Sequence, residues 1–297
     1  MGLREDVEFK TLDNLVLRGH LYPASNRGAA VIMTPGFNTT RDVFLPNIAQ
    51  CFQEAGITAL VYDPRTISSS DGTPRNNINP ALQVGDYHDA LTFLKSDARV
   101  DPNRIAYWGF SFSGAVALCA AALDKRAKAV IAVCPLTIWE LPEGKRQRVM
   151  AKAMQDRESQ LAGNDAFRLP MVTEKGDNPA GFGGTGVGAA ELRLIAEAKE
   201  KLPGFEASTT LQTYYNIMAW SPFDLVRFIA PTPTLLVTPE NDAISPAEKQ
   251  RSLYYERLEG PKQLHIVADR GHMDVFDGDA FAPSMKVQID FLRSYLN

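Results

Sequence analysis

The segment Gly109–Gly114 has the residue types and the spacing of a site that makes a serine reactive. Its sequence, Gly-Phe-Ser-Phe-Ser-Gly, follows a strand-like run that ends at Trp108 and precedes an Ala-rich helical run. An abrupt strand-to-helix turn built from small residues is typical of a nucleophile elbow, which exposes a serine beside the positive end of a helix. Ser113 stands where the usual Gly-x-Ser-x-Gly pattern has its second glycine. The pattern therefore predicts Ser111 as the nucleophile and Ser113 as a small spacer.

A serine nucleophile needs a general base, and the base needs an acid that orients it. The chain offers both after later strand-like runs, because Asp242 follows residues 233–238 and His272 follows residues 263–268. Parallel strands place their C-terminal ends at one edge of a sheet, so these side chains can converge although they are far apart in sequence. We expect Ser111 to attack, His272 to take its proton, and Asp242 to orient the imidazole.

The other candidates for base and acid have more ordinary explanations. Glu240 competes with Asp242 as the acid, but Asp242 lies further out on its loop. Asp269 and Asp274 flank the candidate base and are expected to serve loop geometry or solvent contact. Structural roles or exposure are expected for the histidines in the N-terminal hairpin, in a helix and inside a strand: His20, His88 and His265.

Acyl chemistry at a serine also needs two N–H donors for the developing oxyanion. The backbone N–H of Phe112, directly after the nucleophile, is expected to be one of them. The second is expected from Phe37, on the loop that follows the strand-like run at residues 29–33. Gly36 lets this loop approach a substrate closely, although an ordinary Pro-Gly turn is the alternative interpretation.

The surrounding pattern predicts the scaffold that positions these residues. Strands alternate with helices along most of the chain, which is typical of an α/β fold with a mostly parallel, doubly wound sheet. An N-terminal β-hairpin at residues 6–24 precedes it. Helices are expected at about 43–55, 80–97, 246–258 and 279–296, and further strands at 57–62 and 128–134. The alternation breaks after Pro135 and resumes near Pro231.

The motifs resemble those of the α/β-hydrolase superfamily over nearly the full chain. The resemblance rests on the elbow and on five further segments: Pro35–Phe37, where proline replaces the family's histidine, Tyr62–Arg65, Ser70–Arg75, Asp101–Ile105 and Gly271–Phe276. Trp108–Gly114 and the ending Gly-His-Met-Asp-Val-Phe resemble, more narrowly, a branch from fungal biosynthetic clusters that includes polyketide transferases and hydrolases. Fold alone does not fix function in this superfamily.

The resemblance implies how the domains and the substrate pocket are organised. Residues 1–135 and 221–297 are expected to form the hydrolase core, and residues 136–220 a cap inserted over the active site. The insertion contains helical runs at 144–161 and 189–202. An apolar acyl or polyketide substrate is expected to contact aromatic side chains of the oxyanion loop, the elbow and the cap: Phe37, Phe112, Trp139, Tyr214, Tyr215 and Trp220.

Composition excludes several other classes of protein. The 297 residues include 45% hydrophobic and 22% charged residues, which suits a globular core. A net charge of −4 gives no basic footprint for nucleic acid. The longest apolar run, residues 115–123, is about half the length of a membrane span. We expect a cytoplasmic protein, because the N-terminus lacks an apolar signal region and the cysteines look like buried thiols in a reducing compartment: Cys51, Cys119 and Cys134.

We expect no metal and no cofactor. No Cys/His cluster has metal-ligand spacing. Residues Gly184–Ala189 match a Gly-x-Gly-x-x-Ala nucleotide-binding pattern, but no strand precedes them and no βαβ unit surrounds them, so a glycine hinge is favoured.

The sequence thus predicts a cofactor-independent serine α/β-hydrolase that forms an acyl-enzyme on Ser111 from an ester or thioester, including a carrier-bound polyketide. Water would release the acyl group, or an alcohol or amine would accept it. Two alternatives stay open. The scaffold could perform a non-acyl dehydration or cyclisation with His272 as base, or it could be a ligand-binding derivative, although the complete Ser, Asp and His set argues against the latter. No oligomeric state is indicated, and a homodimer is compatible with the sequence.

Overall fold

A computed structural model describes residues 3–183, 188–202 and 204–296. Residues 184–187, which carry most of the glycine pattern at Gly184–Ala189, lie outside the described residues. The strands of the described part are β1 Glu5–Lys10, β2 Val16–Tyr22, β3 Gly28–Thr34, β4 Thr58–Tyr62, β5 Val100–Phe110, β6 Ala129–Val133, β7 Arg168–Pro170, β8 Ser208–Thr210, β9 Thr234–Pro239 and β10 Lys262–Val267.

Eight of these strands form one sheet in the order β1-β2-β4-β3-β5-β6-β9-β10. Strand β2 is antiparallel to both of its neighbours, and all the other pairs are parallel. The predicted mostly parallel sheet with an N-terminal hairpin is therefore confirmed. The parallel arrangement brings the C-terminal ends of β3, β5, β9 and β10 to the same edge of the sheet, as the sequence analysis expected.

Helices cover both faces of this sheet. Their bounds are α1 Leu45–Glu54, α2 Pro80–Lys95, α3 Phe112–Leu123, α4 Glu143–Leu161, α5 Ala189–Lys201, α6 Leu211–Met218, α7 Ala247–Leu253 and α8 Gly278–Leu296. Along β3 the buried side chains alternate between two apolar clusters, because successive residues of a strand point to opposite faces. Ala30 and Ile32 pack with α2 and α3, whereas Val31 and Met33 pack with α1 and α8.

Some local features differ from the prediction. The helix expected at 246–258 ends at Leu253, and a separate 3-10 turn follows at Tyr255–Arg257; Tyr254, with φ −116° and ψ −68°, caps both. The segment between β6 and β9 contains the two predicted helices, α4 and α5. It also contains α6 and the antiparallel pair β7–β8, which the sequence did not predict. In the described parts of the chain, no helix is long and apolar enough to cross a membrane.

Candidate active site

The turn between β5 and α3 has the geometry of a nucleophile elbow. Ser111 has φ 54° and ψ −117°, a backbone conformation that is uncommon for a residue with a Cβ atom. Gly109 allows the tight turn, since a Cβ atom there would lie 2.1 Å from the carbonyl oxygen of Ser113. A Cβ atom on Gly114 would lie 3.2 Å from the Cα atom of Pro135. The elbow therefore requires glycine at position 109, whereas the serine at position 113 is buried within the first turn of α3.

The three side chains expected to carry the chemistry lie in one hydrogen-bonded row. The Oγ atom of Ser111 is 2.9 Å from Nε2 of His272, and Nδ1 of His272 is 2.8 Å from Oδ2 of Asp242. In the tautomer with its proton on Nδ1, His272 donates to Asp242 and its Nε2 accepts from Ser111. All three residues are buried, with Asp242 and His272 each 4% exposed. This arrangement allows the serine proton to pass to the imidazole while a carboxylate stabilises the resulting cation.

Four donors fix the carboxylate of Asp242. Its Oδ1 accepts the backbone N–H groups of Ile244 and Ser245 at 3.0 and 2.7 Å, and its Oδ2 accepts Nε2 of Gln250 at 3.1 Å in addition to the imidazole. The carboxylate of Glu240, the competing acid, instead accepts the backbone N–H of Asp269. Gln250 had no signal in the sequence, because it reaches the site only through the fold of α7.

Two hydrogen bonds hold the loop that carries His272, one within the loop and one to the loop that carries Asp242. Asp274 accepts the backbone N–H of Gly271 at 3.2 Å, and Arg270 accepts the N–H of Asn241 through its carbonyl at 2.8 Å. Asp274 thus has the loop-building role that the sequence analysis expected. The imidazole of His272 lies against the ring of Phe110, with 5.1 Å between ring centroids.

The remaining histidines are located where the sequence predicted. His20 in β2 contacts Asp6 and accepts a hydrogen bond from Arg41, and His88 in α2 lies 3.2 Å from the carbonyl oxygen of Ala120. His265 lies inside β10, where burial lowers its pKa from the ordinary value.

The loop after β3 runs directly beside the elbow. A Cβ atom on Gly36 would lie 3.5 Å from the Cβ atom of Ser111, so the loop backbone approaches the serine closely. The ring of Phe37 packs against the ring of Phe112 at 5.5 Å. Phe112 begins α3, and the first N–H groups of a helix have no acceptor within the helix. The two expected oxyanion donors therefore belong to segments in mutual contact on either side of Ser111.

Asn38 ties the same loop to the segment between β6 and β9. Its buried amide donates to the carbonyl oxygens of Glu206 and Ser208 at 2.7 and 3.3 Å, and its Oδ1 accepts Nδ2 of Asn76 at 2.9 Å. Asn38 has φ 51°, a conformation that asparagine tolerates better than most residues. Nothing local in the sequence indicates this role of Asn38, because its partners come from distant parts of the chain.

A buried ion pair anchors the far end of the loop. Arg41 donates to Asp63 at the end of β4 through its guanidinium and, at 2.7 Å, through its backbone N–H. Burial raises the pKa of Asp63 to about 6, and the charge of Arg41 acts in the opposite direction. Losing Arg41 would leave a fully buried carboxylate without its cation.

An apolar pocket opens at Ser111 and His272. Its walls come from the loop after β3 and the start of α1, from the end of β5 and the His272 loop, and from the segment between β6 and β9. The larger apolar side chains that line it are Phe37, Val43, Phe44, Leu45, Phe110, Leu136, Met171, Phe182, Leu194, Ile195, Ile244, Met273 and Phe276. Among the described lining residues there is no charged side chain.

The two other polar side chains of the pocket are already occupied by protein partners. Thr39 donates to the carbonyl oxygen of Gly36 at 3.0 Å. Asn178 donates to Met171 and to the hydroxyl of Tyr214, and its Oδ1 accepts the N–H groups of Ala180 and Phe182. Polar recognition of a ligand in this pocket therefore falls to Ser111, His272 and the backbone.

Of the aromatic residues expected in the pocket, only Phe37 lines it; the structure corrects the others. Trp139 is buried in the main core, where its indole N–H donates to the carbonyl of Leu136 at 2.8 Å and its ring packs on Trp220 at 4.6 Å. The physical reason is that a satisfied indole N–H allows the whole side chain to be buried.

The other three corrected residues also serve packing or the surface. Phe112 is 1% exposed and stacks between Phe37 and Trp139. Tyr214 is fully buried and accepts from Asn178 at 2.9 Å, whereas Tyr215, the next residue of α6, is 36% exposed. Successive side chains of a helix point in directions about 100° apart, so burial of Tyr214 in the core turns Tyr215 toward the surface.

Among the described residues, atoms of metal-ligand type come together at one point. Ligand atoms of Cys134, Asp242 and His272 lie within 4.8 Å of one another. Burial, and then the charge of Asp242, raises the pKa of the Cys134 thiol well above its usual range, so the sulfur is a neutral thiol rather than a thiolate ligand. Its Sγ lies 3.6 Å from the carbonyl oxygen of His272, and the nitrogens of His272 face Asp242 and Ser111.

Comparison with known proteins gives consistent results. Residues 31–284 match the model of the alpha/beta hydrolase family. The chain is 49% identical over 291 residues to a protein named thiohydrolase from Eupenicillium brefeldianum, covering 98% of this chain and 94% of the relative. It is 44% identical over 294 residues to polyketide transferase af380 of Aspergillus fumigatus, covering 99% of each.

A solved structure has the same architecture. The crystal structure of the alpha/beta hydrolase GrgF from Penicillium sp. sh18 superposes with a TM-score of 0.90 at 42% identity, covering 99% of both chains. Identity at this level over the whole length means that the described fold, including the segment between β6 and β9, has a close structural counterpart.

Proposed function

Because the chain belongs to the α/β-hydrolase family, we propose that it is a serine-dependent enzyme that transfers acyl groups through an acyl-enzyme on Ser111. The observation that carries the proposal is the buried row of hydrogen bonds from Ser111 to His272 at 2.9 Å and from His272 to Asp242 at 2.8 Å. Each member has the chemistry that its place requires: a nucleophile, a base and an orienting carboxylate.

Acylation then follows from this geometry. The Oγ atom of Ser111 forms a bond to the acyl carbon and gives its proton to Nε2 of His272. The carbonyl oxygen becomes an oxyanion, and the N–H groups of Phe37 and Phe112 donate to it. As the oxyanion collapses, the bond to the leaving thiol or alcohol breaks, and the proton on His272 passes to that leaving group. The second half of the reaction repeats these steps with water or an alcohol as the nucleophile.

The substrate we propose is an apolar acyl group presented as a thioester or ester. The pocket offers hydrocarbon walls and no charged side chain among its described lining residues, so it favours a neutral, apolar chain. The names of the relatives, a thiohydrolase and a polyketide transferase from fungi, support a polyketide acyl thioester as the donor, including one bound to a carrier protein.

We further propose that residues 136–220 act as a cap. Met171, Phe182 and Ile195 of this segment line the pocket together with Ser111 and His272, and Asn38 connects the segment to the oxyanion loop. A cap that covers the acyl-enzyme limits the access of water, which decides between hydrolysis and transfer.

The cysteines carry free thiols, which suits a reducing compartment, and we propose the cytosol.

Two variants at the elbow test the proposal. Turnover of octanoyl-N-acetylcysteamine and labelling by a fluorophosphonate are measured for Ser111→Ala and, as a matched control, Ser113→Ala. We expect Ser111→Ala to lose the label and about three to six orders of magnitude in turnover. The Ser113→Ala variant should keep the label, since Ser113 is buried within the first turn of α3 and is not part of the row of hydrogen bonds from Ser111 to Asp242. A Ser111→Ala variant that turns over the thioester at the wild-type rate would exclude the acyl-enzyme.

A further inference from the structure

Contacts between rings divide the pocket phenylalanines into two groups. Phe37 contacts Phe182 at 5.1 Å, on the side of the segment between β6 and β9. The second group lies on the His272 side. Phe110 packs on the imidazole at 5.1 Å and on Phe276 at 4.8 Å, and Phe276 in turn stacks on Phe44 at 5.5 Å with 28° between the ring planes. We refer to Phe44, Phe110 and Phe276 as the aromatic wall.

One member of the aromatic wall is held in a strained backbone conformation. Phe44, which precedes α1, has φ 59° and ψ −35°. A bulky side chain at positive φ is a genuine outlier in backbone conformation and is energetically unfavourable. Its ring is only partly buried and lines the pocket, so core packing alone does not account for the strain. Strained residues of this kind concentrate at functional sites and ligand clamps.

The position of the wall beside His272 decides what it can bind. Nε2 of His272 gives a proton to the leaving group in the first half-reaction and takes one from the incoming nucleophile in the second. Both groups must therefore approach from the His272 side, whereas the acyl chain extends elsewhere in the pocket. A nucleophile that is held against three phenylalanine rings gains by being apolar, and water gains nothing there.

We propose that the aromatic wall is the acceptor subsite, which binds the hydrocarbon skeleton of an alcohol that takes the acyl group from Ser111. This inference rests on the proposed function. In the step itself, the acceptor oxygen forms a bond to the acyl carbon and its proton passes to Nε2 of His272. The bond between the acyl carbon and Oγ of Ser111 then breaks, and Ser111 recovers the proton from His272. The wall makes transfer to an apolar alcohol compete with hydrolysis.

The proposal is tested by measuring how the acyl-enzyme partitions between an added alcohol and water. The protein is acylated with p-nitrophenyl octanoate in the presence of equal concentrations of cyclohexanol or glycerol, and the ratio of new ester to free octanoic acid is measured. This ratio is set after acylation, so it does not depend on how fast each variant is acylated. We expect cyclohexanol to give a higher ratio than glycerol with the wild-type protein.

Two variants remove the wall in different ways. Phe276→Ala deletes one ring, and Phe44→Gly deletes another at a position where glycine adopts the positive φ without strain. We expect each to lower the cyclohexanol ratio by about tenfold, which corresponds to about 1.4 kcal/mol. Phe228→Ala, at a half-exposed phenylalanine outside the pocket, is the matched control and should keep the wild-type ratio. Phe182→Ala should alter the acyl-chain preference more than the ratio.

The outcomes separate the two proposals. If the release of p-nitrophenol does not depend on Ser111, the proposed function itself is wrong. If the release depends on Ser111 but Phe276→Ala and Phe44→Gly both keep the wild-type ratio, the acceptor subsite is overturned while the function stands. Equal ratios for cyclohexanol and glycerol in the wild-type protein would overturn the subsite in the same way.

Discussion

Replacing Asp242 by asparagine would test whether this residue fixes the tautomer of His272. The two oxygens of the carboxylate have different surroundings. Oδ1 accepts two backbone N–H groups, from Ile244 and Ser245, which an amide nitrogen cannot replace. The asparagine oxygen is therefore held at that position, and its NH2 group must face Nδ1 of His272 and Nε2 of Gln250.

This orientation reverses the hydrogen bond to the base. An NH2 group donates to Nδ1 and so places the imidazole proton on Nε2, which then has no lone pair for the proton of Ser111. In a triad of this geometry, the wrong tautomer costs about 10⁴ in kcat, or about 5.4 kcal/mol of transition-state stabilisation. Gln250 cannot relieve the conflict by flipping its amide, because its Oε1 accepts from Thr238 and its Nε2 donates to Ser245.

Release of p-nitrophenol in a single turnover, with the protein in excess over p-nitrophenyl octanoate, gives the acylation rate directly. We expect Asp242→Asn to acylate about 10⁴-fold more slowly than the wild-type protein. The matched control is Glu240→Gln, an exposed acid on the same loop whose amide oxygen can still accept the N–H of Asp269; its rate should stay within about threefold. An Asp242→Asn variant that acylates within tenfold of the wild-type protein would refute the assignment of Asp242 as the orienting acid.

Three further variants probe the elements that hold the site. Gly109→Ala should abolish labelling of the serine, since the added Cβ atom would meet a backbone oxygen at 2.1 Å. As the control, Gly85→Ala inside α2 places its Cβ atom where nothing lies within 4 Å. This control should stabilise the protein by about 0.5–1 kcal/mol in urea unfolding. Arg41→Met should cost about 3–5 kcal/mol in the same assay, because it leaves Asp63 buried without its cation. Burial lowers the folded-state pKa of His265 below 6.5, so the unfolded chain binds more protons than the folded one. The free energy of unfolding therefore falls as the pH drops through 6.5. His265→Gln should make the free energy of unfolding depend less steeply on pH in this range.

The sequence pointed to the three side chains that the structure brings together at the candidate site because the signals for them are local. Ser111, Asp242 and His272 each follow an apolar run that reads as a strand, and parallel pairing of β5, β9 and β10 brings the ends of such runs together. Alternation of strand and helix indicated that pairing without any knowledge of contacts. The elbow was equally local, since its small residues all lie within the six residues Gly109–Gly114.

The lining of the pocket could not be predicted in the same way, because side chains from distant parts of the chain form its walls. Trp139 and Tyr214 looked like pocket residues from their aromatic type alone, but partners distant in sequence, such as Tyr254 and Asn178, satisfy their polar atoms in the core. Phe44 gave no signal because nothing local indicates a left-handed phenylalanine. Asn38 and Gln250 likewise act through residues far along the chain.

The most direct measurement is the location of the acyl group during turnover. The protein is mixed with octanoyl-N-acetylcysteamine, quenched in acid within the first turnover, and analysed by intact mass and by peptide mapping. We expect a mass increase of one octanoyl group on the peptide that contains Gly109–Gly114, with the modification on Ser111 and none in the Ser111→Ala variant. Turnover of the thioester without any adduct, or an adduct on Ser113 or on a cysteine, would contradict the proposed acyl-enzyme.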